Sequence, residues 1–299
     1  MKKTVFLAAA LLMGASAFAQ EKEEKVYLPE AEDWAIGIDA TPFLSYFGNF
    51  IGGNDGNAAP SWNYLTNNQT ITGKYFKTEE MAYRASFRLG FGSMGDTRMV
   101  SDRTVTTAPD FPELPSEVEN KMKSSFTNIG LAGGIEYRKG KGRLQGFYGA
   151  ELGISYSSSK ETYEYGNALT VSTASAPVFV DAADDFGSNI TTDPYGNAAR
   201  VLESKNASSF GIGLRGFIGA EYFILPKLAI GGEFGWGLVF NSTGATSTTT
   251  ESVGVNSGGN ESVEEITVES GKSNGFGIDT DSNNSVFGPA GSIRLTFHF

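Results

Sequence analysis

The sequence has no cysteine and a single histidine, and these two gaps exclude several kinds of site. Without cysteine there is no disulfide framework, no thiolate zinc site and no iron–sulfur cluster. One histidine leaves little room for histidine-based metal ligation or for a nucleophile activated by imidazole. We therefore expect no cofactor, no metal site and no catalytic residues.

Charged residues are also scarce, and most of them are acidic. They make up 19% of the chain, with 23 Lys and Arg against 34 Asp and Glu, which gives a formal net charge of −11. Phosphate backbones are bound by clustered cations, so this balance argues against a nucleic-acid partner. Glycine, phenylalanine and tyrosine are abundant instead, with 38, 22 and 12 residues. Such a composition is not typical of a water-soluble α/β enzyme.

The first residues have the order of parts found in an export signal. Residues 1–3 are cationic, residues 5–13 are apolar, and residues 17–19 form a small-x-small triplet. This order predicts a signal peptide over residues 1–19, cleaved after Ala19. A membrane-spanning anchor fits less well, because a span needs about 20 apolar residues and a polar, charged run starts at Gln20. Residues 20–33 are then expected to form a periplasmic N-terminal leader, and residues 34–299 the folded domain.

After the signal no apolar run is long enough for a membrane helix, but apolar residues recur at every second position. In residues 228–240, one set of alternate positions holds leucine, isoleucine, phenylalanine and tryptophan, and the other holds small residues and Glu233. Since strand side chains alternate between faces, this pattern predicts an amphipathic strand. The same alternation predicts eight strands, within residues 34–48, 70–77, 83–91, 129–137, 144–156, 210–224, 228–240 and 287–299.

The connections between these predicted strands alternate in length. Those at 78–81, 139–143 and 226–227 suit hairpin turns, whereas those at about 49–69, 94–124, 159–206 and 244–284 are long and acidic. Short turns at one end and long loops at the other are typical of membrane β-barrels. The sequence thus predicts an all-β fold: a closed, antiparallel, up-and-down transmembrane β-barrel of eight strands with short periplasmic turns and long extracellular loops. A soluble exported β-sandwich is the alternative, but it predicts a polar outer face.

These features together resemble the small bacterial outer-membrane β-barrels of the OmpA, OmpX and OmpW type and the outer membrane protein β-barrel domains of Bacteroidetes. The resemblance rests on the signal peptide, the eight amphipathic strands and the last seven residues, which read IRLTFHF. It implies a multi-pass protein of the bacterial outer membrane, in contact with membrane lipid and lipopolysaccharide. Because no peptidoglycan-binding domain follows the barrel, the wall-tethering role of full-length OmpA is not expected. The resemblance also implies a C-terminal signal for the barrel-assembly machinery, formed by Ile293, Leu295, Phe297 and Phe299.

The inward-facing positions of the predicted barrel hold nearly equal numbers of cations and anions. An eight-stranded barrel is only wide enough for side chains to fill, and buried charges must be paired. The sequence therefore favours an interior closed by salt bridges, with a narrow gated pore as the alternative; the inward glycines provide room either for arginines or for water. The predicted interior charge network consists of Asp39, Lys74, Arg84, Arg88, Glu136, Arg138, Glu151, Arg215, Glu221, Glu233 and Arg294.

For function, the sequence favours a non-enzymatic integral membrane protein whose rigid barrel carries long acidic loops for structural or surface contacts. The first alternative is a small porin-like channel for ions or compact solutes, and the next is an outer-membrane lipid-modifying enzyme. The only histidine, His298, is expected at the periplasmic end of the last strand, far from the outer leaflet where such an enzyme acts. Residues 279–283 resemble the start of a calcium loop, but Asn284 and Ala290 stand where that loop needs glycine and glutamate. The sequence does not specify an external partner for the loops.

Overall fold

The computed structural model describes residues 26–40, 46, 48–52, 71–107, 109–171, 182–279 and 291–299. The chain is all-β, with 69% strand and 3% helix, which confirms the all-β part of the predicted fold. Within the described ranges, no helix is long and apolar enough to cross a membrane. The predicted signal peptide lies outside the described residues. The strands are β1 (Trp34–Asp39), β2 (Ile71–Thr78), β3 (Met81–Ser101), β4 (Glu117–Lys141), β5 (Leu144–Glu164), β6 (Ile190–Thr192), β7 (Ala198–Lys205), β8 (Ser209–Leu225), β9 (Leu228–Thr243), β10 (Ser247–Val255), β11 (Glu261–Glu269), β12 (Ser273–Asp279) and β13 (Gly291–His298).

Eight of these strands form a hydrogen-bonded ring. Going round it, β1 pairs with β2, β2 with β3, β3 with β4, β4 with β5, β5 with β8, β8 with β9, β9 with β13, and β13 with β1. Every pairing is antiparallel. The last residue takes part, because the backbones of Phe299 and Trp34 exchange two hydrogen bonds of 2.8 Å. Tight turns join β2 to β3, β4 to β5 and β8 to β9 at one end of the ring, which we call the turn end.

The first and last predicted strands differ from those in the structure. The strand predicted over residues 34–48 stops at Asp39, and residues 48–51 are helical. The strand predicted over residues 287–299 is described only from Gly291, as β13. β9 pairs with β13 over residues 228–234 and with β12 over residues 237–243, so β12 and β13 follow each other along the same edge of β9. Residues 280–290 lie outside the described part.

Much of the chain that was predicted as long loops forms β-strands in the structure. β3, β4 and β5 extend well beyond the predicted segments, to Ser101, from Glu117 and to Glu164. They continue into a sheet in the order β11-β10-β7-β5-β4-β3, with β6 paired to β7. Their apolar residues are few and irregularly spaced, so they give no sustained apolar alternation, but the backbone pairing of β3 with β4 and of β4 with β5 continues through them. We call this continuation, beyond the ring, the outer sheet.

The two faces of the ring have opposite chemistry. Side chains that point inward are buried and many are charged, including Arg84, Glu136 and Glu233. Side chains that point outward are large, apolar and exposed, as at Leu89, Leu152 and Trp236. A water-soluble protein has the reverse arrangement, since burial of apolar surface drives its folding. The charged interior is therefore the candidate functional site.

Candidate functional site

The interior charges nearest the turn end form one cluster. The Lys74 ammonium lies 2.9 Å from carboxylate oxygens of both Glu136 and Glu221. The Arg138 guanidinium donates to Glu221 at 2.6 Å and lies 3.5 Å from Glu136. All four side chains are buried. Two cations, on β2 and β4, thus neutralise two anions, on β4 and β8.

A second cluster lies deeper in the ring and is built around Glu233. Arg84 donates to both carboxylate oxygens of Glu233, at 2.5 and 3.0 Å. Arg215 donates to Glu233 at 2.7 Å and to Glu151 at 2.9 Å. Arg294 lies 3.8 Å from Glu233. Charge-assisted pairs of this geometry are the strongest hydrogen bonds available to side chains.

The two clusters are continuous. Arg84 of the second cluster lies 3.8 Å from Glu136 of the first, and its Nε lies 3.3 Å from Glu151. A cavity of about 10 Å³ remains between the clusters, lined by Lys74, Glu221 and Arg294 among others. That space corresponds to about one water molecule. We call the nine linked residues the interior network: Lys74, Arg84, Glu136, Arg138, Glu151, Arg215, Glu221, Glu233 and Arg294.

Two members of the predicted network lie outside these described pairs. Arg88 is half-buried on β3. It lies on the same face of the strand as Arg84, and Ser86 stands between them on that face. Asp39 is on β1, where its backbone is opposite Arg294 of β13, and its side chain is not among those described. The four residues of the predicted C-terminal assembly signal lie together on β13 and the residue after it. Three of them are exposed on the outer face of the ring, namely Ile293, Phe297 and Phe299, and Leu295 is partly exposed.

Sequence reasoning missed the aromatic part of the interior. The Arg84 guanidinium lies 4.3 Å from the ring centroid of Phe217, and the Lys74 ammonium lies 4.9 Å from that of Phe147. Arg138 stands over two further rings, at 5.3 and 5.9 Å. The signal was present, because phenylalanine occupies inward-facing positions next to charged ones and a cation over an aromatic face is attracted to it. The buried phenylalanines of the ring interior are Phe76, Phe147, Phe217 and Phe223.

His298 lies among these rings at the turn end. Its imidazole centroid is 5.4 Å from that of Phe76 and 5.2 Å from that of Phe223. Neither ring nitrogen has a hydrogen-bond partner among the described residues, and the side chain is buried. The predicted location at the end of the last strand is confirmed by its position in β13. A general base needs a substrate within hydrogen-bond reach, and the described surroundings are phenylalanine and paired charges.

The inward glycines accommodate side chains of the network. At Gly235 a Cβ would overlap the Arg215 guanidinium, and at Gly231 it would lie 2.6 Å from Glu221 Cγ. At Gly219 it would lie 2.7 Å from a carbon of the Phe147 ring. At these positions the space left by glycine is therefore filled by charged and aromatic side chains rather than by a continuous water path.

A separate polar cluster, outside the ring, holds the outer sheet together. Asp184, in a short 3₁₀ helix (Ala182–Asp184), is fully buried and accepts hydrogen bonds from Arg103 and Asn120, each at 2.8 Å. Arg200 of β7 lies 3.7 Å from Asp184, and its Nε donates to Glu251 of β10 at 2.5 Å. This Asp184 cluster ties the segment after β5 to β4, to β7 and to the residues that follow β3.

Tyr165 packs against the same cluster. Its ring lies 4.2 Å from the Arg200 guanidinium, its hydroxyl donates to the Val201 carbonyl at 2.7 Å, and it accepts from Asn189 at 2.8 Å. Burial raises the pKa of Tyr165 to about 12, although the hydrogen bond from Asn189 and the charge of Arg200 act in the opposite direction. The hydroxyl therefore remains a hydrogen-bond donor at physiological pH.

The β10–β11 hairpin is the most acidic element of the outer sheet. It has no lysine or arginine, and β11 pairs only with β10 among the described strands. Glu251 is paired with Arg200, as described above. The remaining glutamates are exposed to solvent: Glu261, Glu264, Glu265 and Glu269.

Metal ligation finds no support in the part of the chain that the structure describes. No group of three or more His, Asp or Glu residues there is arranged to hold a metal ion. Most of the calcium-loop-like segment at residues 279–283, with Asn284 and Ala290, lies outside the described residues. Compared with protein-family profiles, with curated proteins and with solved structures, the chain matches none of them.

Proposed function

We propose that this protein is a closed transmembrane β-barrel of the bacterial outer membrane that anchors an acidic outer sheet at the cell surface. The observation that carries the proposal is the inverted ring, in which paired charges lie inside and large apolar side chains lie outside. In lipid, an apolar outer face costs nothing, and a ring with no free edge leaves no backbone amide or carbonyl unpaired. The predicted signal peptide and the C-terminal residues on the outer face of β13 agree with export and assembly in that membrane.

The contents of the ring support an anchoring role rather than a channel. Ion pairs cross the interior at two levels, phenylalanine rings lie against their cations, and a cavity between the two levels has room for about one water molecule. Moving an ion past this network would require breaking buried pairs, which costs several kcal/mol for each ion left unpaired. The function is therefore assigned to the surface outside the membrane.

The outer sheet supports a role in surface contacts. It is ordered by the Asp184 cluster, and the exposed glutamates of β11 give it a negative field with few compensating cations. Such a field steers oppositely charged partners and repels like-charged ones. We propose membrane lipid and lipopolysaccharide as the surroundings of the ring, the barrel-assembly machinery as the partner during biogenesis, and cationic surfaces as the class of external contact.

Tryptophan quenching by brominated lipid tests the membrane part of the proposal. A variant that keeps only Trp236, on the outer face of β9, is reconstituted into brominated phosphatidylcholine vesicles. We expect strong quenching of Trp236, because its exposed indole would touch acyl chains. In the control, the three tryptophans of the chain are all replaced and a single tryptophan is placed at Tyr195 of the outer sheet, and its fluorescence should be unchanged. Equal quenching at both sites, or none at Trp236, would contradict a membrane-embedded ring.

Conductance separates the anchor from the alternative functions. Purified protein inserted into planar bilayers is expected to be silent, both as the full chain and after deletion of residues 247–269. A stable ion current from the folded full chain would favour the channel. Release of acyl chains from lipopolysaccharide above background would favour the lipid-modifying enzyme, and we expect none.

A further inference from the structure

The tip of the β3–β4 hairpin carries two large apolar side chains that nothing in the described structure covers. Phe111 is 100% exposed and Leu114 is 87% exposed, the highest values among the large apolar residues of the described chain. Monomeric proteins place single apolar residues on their surface, but two highly exposed apolar residues at one apex are typical of a contact site. We call residues 109–115 the hairpin tip.

Lipid of the surrounding membrane does not explain this exposure. The continuous apolar outer face of β3 ends at Phe91, and the strand continues for ten more residues to Ser101. At about 3.4 Å per residue, the hairpin tip lies roughly 30 Å beyond that level along the strand. It is therefore outside the membrane that the ring is proposed to occupy.

The base of the tip is held rigidly. The Asp102 amide donates to the Ser116 carbonyl at 2.9 Å, and the Asp102 carboxylate accepts from the Thr104 amide at 2.8 Å. Arg103 is fixed to Asp184 at 2.8 Å, and its amide donates to Asn167 at 2.9 Å. At the apex the Glu113 amide donates to the Asp110 carbonyl at 2.8 Å, which closes a turn around Phe111. A preordered tip loses little conformational entropy when it binds.

The charge around the tip indicates the chemistry of what it meets. Residues 104–120 contain four acids and no lysine or arginine. Asp110 and Glu113 flank Phe111 at the two ends of the turn. An apolar side chain framed by anions fits a hydrophobic pocket with a cationic rim. We propose that the hairpin tip docks into such a pocket on a partner protein, with Phe111 and Leu114 as the inserted anchors; this rests on the proposed surface role and adds a second contact to the acidic outer sheet.

The chain itself and a lipid surface fit the tip less well. A second copy would need a cationic, apolar pocket, whereas the outer-sheet cations that are described in pairs are bound to its own acids, as Lys160 is to Glu203 and Lys121 to Glu119. Bacterial surface lipids are rich in anionic groups, which would repel Asp110 and Glu113. A basic protein pocket is the occupant that satisfies both the apolar and the anionic part of the tip.

The test uses a display library of disulfide-constrained random peptides, selected against the full chain in phosphatidylcholine nanodiscs. We expect the enriched peptides to combine lysine or arginine with leucine or an aromatic residue. Their affinity, measured by biolayer interferometry, should fall at least about tenfold for Phe111→Ser and for Leu114→Ser. The matched control is Tyr195→Ser, which removes another highly exposed ring, 83% exposed, elsewhere on the outer sheet and should leave affinity within about twofold. Combined Asp110→Asn and Glu113→Gln should weaken binding and reduce its salt dependence.

Three outcomes would overturn the inference. The first is enriched peptides that bind Phe111→Ser as well as they bind the original chain. The second is binding that depends on Glu264 and Glu265 but not on Phe111, which would retain the proposed surface role and remove the tip from it. The third is Phe111-dependent binding of the nanodisc-held chain to phosphatidylglycerol vesicles, which would make the target a membrane. Unchanged gel migration of unheated and heated samples verifies that the variants are folded.

Discussion

Arg84 on β3 and Glu233 on β9 form a two-pronged ion pair across the interior of the ring, although the two strands are not neighbours in it. Glu233 also accepts from Arg215 of β8 and lies near Arg294 of β13. One carboxylate therefore connects four strands of the ring. Because buried charges cost free energy unless they are paired, the stability of this interior depends on all members being present.

Replacing Glu233 with alanine should destabilise the ring strongly. Arg84 and Arg215 would each lose their shortest carboxylate contact while remaining buried, and removing one partner of a buried pair costs about 3–5 kcal/mol. The free energy of unfolding can be measured by urea titration in lipid vesicles, followed by tryptophan fluorescence.

An exposed pair provides the control for this change. Lys121 and Glu119 lie 2.8 Å apart on β4, and about half of each side chain is in contact with solvent. Lys121→Ala should lower the free energy of unfolding by no more than about 1 kcal/mol. Similar losses for Glu233→Ala and Lys121→Ala would show that the interior network is not a closed, dry cluster.

Gly149 on β5 should not tolerate even a methyl group. A Cβ there would overlap the Ile135 carbonyl of β4 and lie 2.6 Å from the Phe217 ring. Overpacking of this kind costs about 1–3 kcal/mol. We expect Gly149→Ala to lower the urea midpoint of unfolding and the yield of folded protein.

The control is Gly216→Ala on the neighbouring strand β8, where a Cβ would meet nothing within 4 Å. Gly149 faces the interior and Gly216 faces outward, so the two substitutions separate crowding from any general effect of glycine in strands. A normal midpoint for Gly149→Ala would mean that β4 and β5 can move apart to make room.

The sequence could predict which alternate residues of each ring strand face inward. In β9 the alternation placed Glu233 on one face and Phe234 and Trp236 on the other, and the structure has Glu233 buried and both aromatic residues exposed. This works because a strand has only two faces and a misplaced charge on the apolar one is costly. The alternation gives no signal where both faces are largely polar, as in β10 and β11, which were predicted as loop, and it overextended β1, which ends at Asp39.

The partners of each charge could not be predicted. Sequence gives the face of Arg84 but not whether it meets Glu136, Glu151 or Glu233, because that depends on the stagger of strands around the closed ring. The role of Phe217 was also missed. An apolar residue at an inward position interrupts the alternation, and the sequence does not show that a cation will lie against its ring. Likewise, the sequence does not show that β12 and β13 share one edge of β9, because that arrangement depends on pairing between residues far apart in the chain.

Asp184→Ala should loosen the outer sheet without affecting the ring. Arg103 and Asn120 would lose the carboxylate that both bind, and each such charge-assisted hydrogen bond is worth about 1.5–3 kcal/mol. We expect faster tryptic cleavage at Arg200 and Lys205, read by mass spectrometry, and unchanged heat-dependent gel migration. Glu119→Gln, which alters an exposed acid next to Asn120, should leave the cleavage rate unchanged. Cleavage of the ring strands in Asp184→Ala would contradict the separation of the two parts.

Acid should release the turn at residues 193–197 from β10. Burial by itself raises the pKa of Asp193, but hydrogen bonds from Asn197, Ser252 and the backbone amides of Tyr195 and Asn197 hold the pKa below its ordinary value. A lowered folded pKa contributes stability above the unfolded value of about 3.9, and this contribution is lost as pH falls through the folded pKa. Hydrogen exchange of the amides of residues 193–197, corrected for the intrinsic rate, should therefore accelerate as pH is lowered below about 4. Asp193→Asn removes the titrating group, so its exchange should show no such step; a step of equal size in Asp193→Asn would assign the acid sensitivity to another residue.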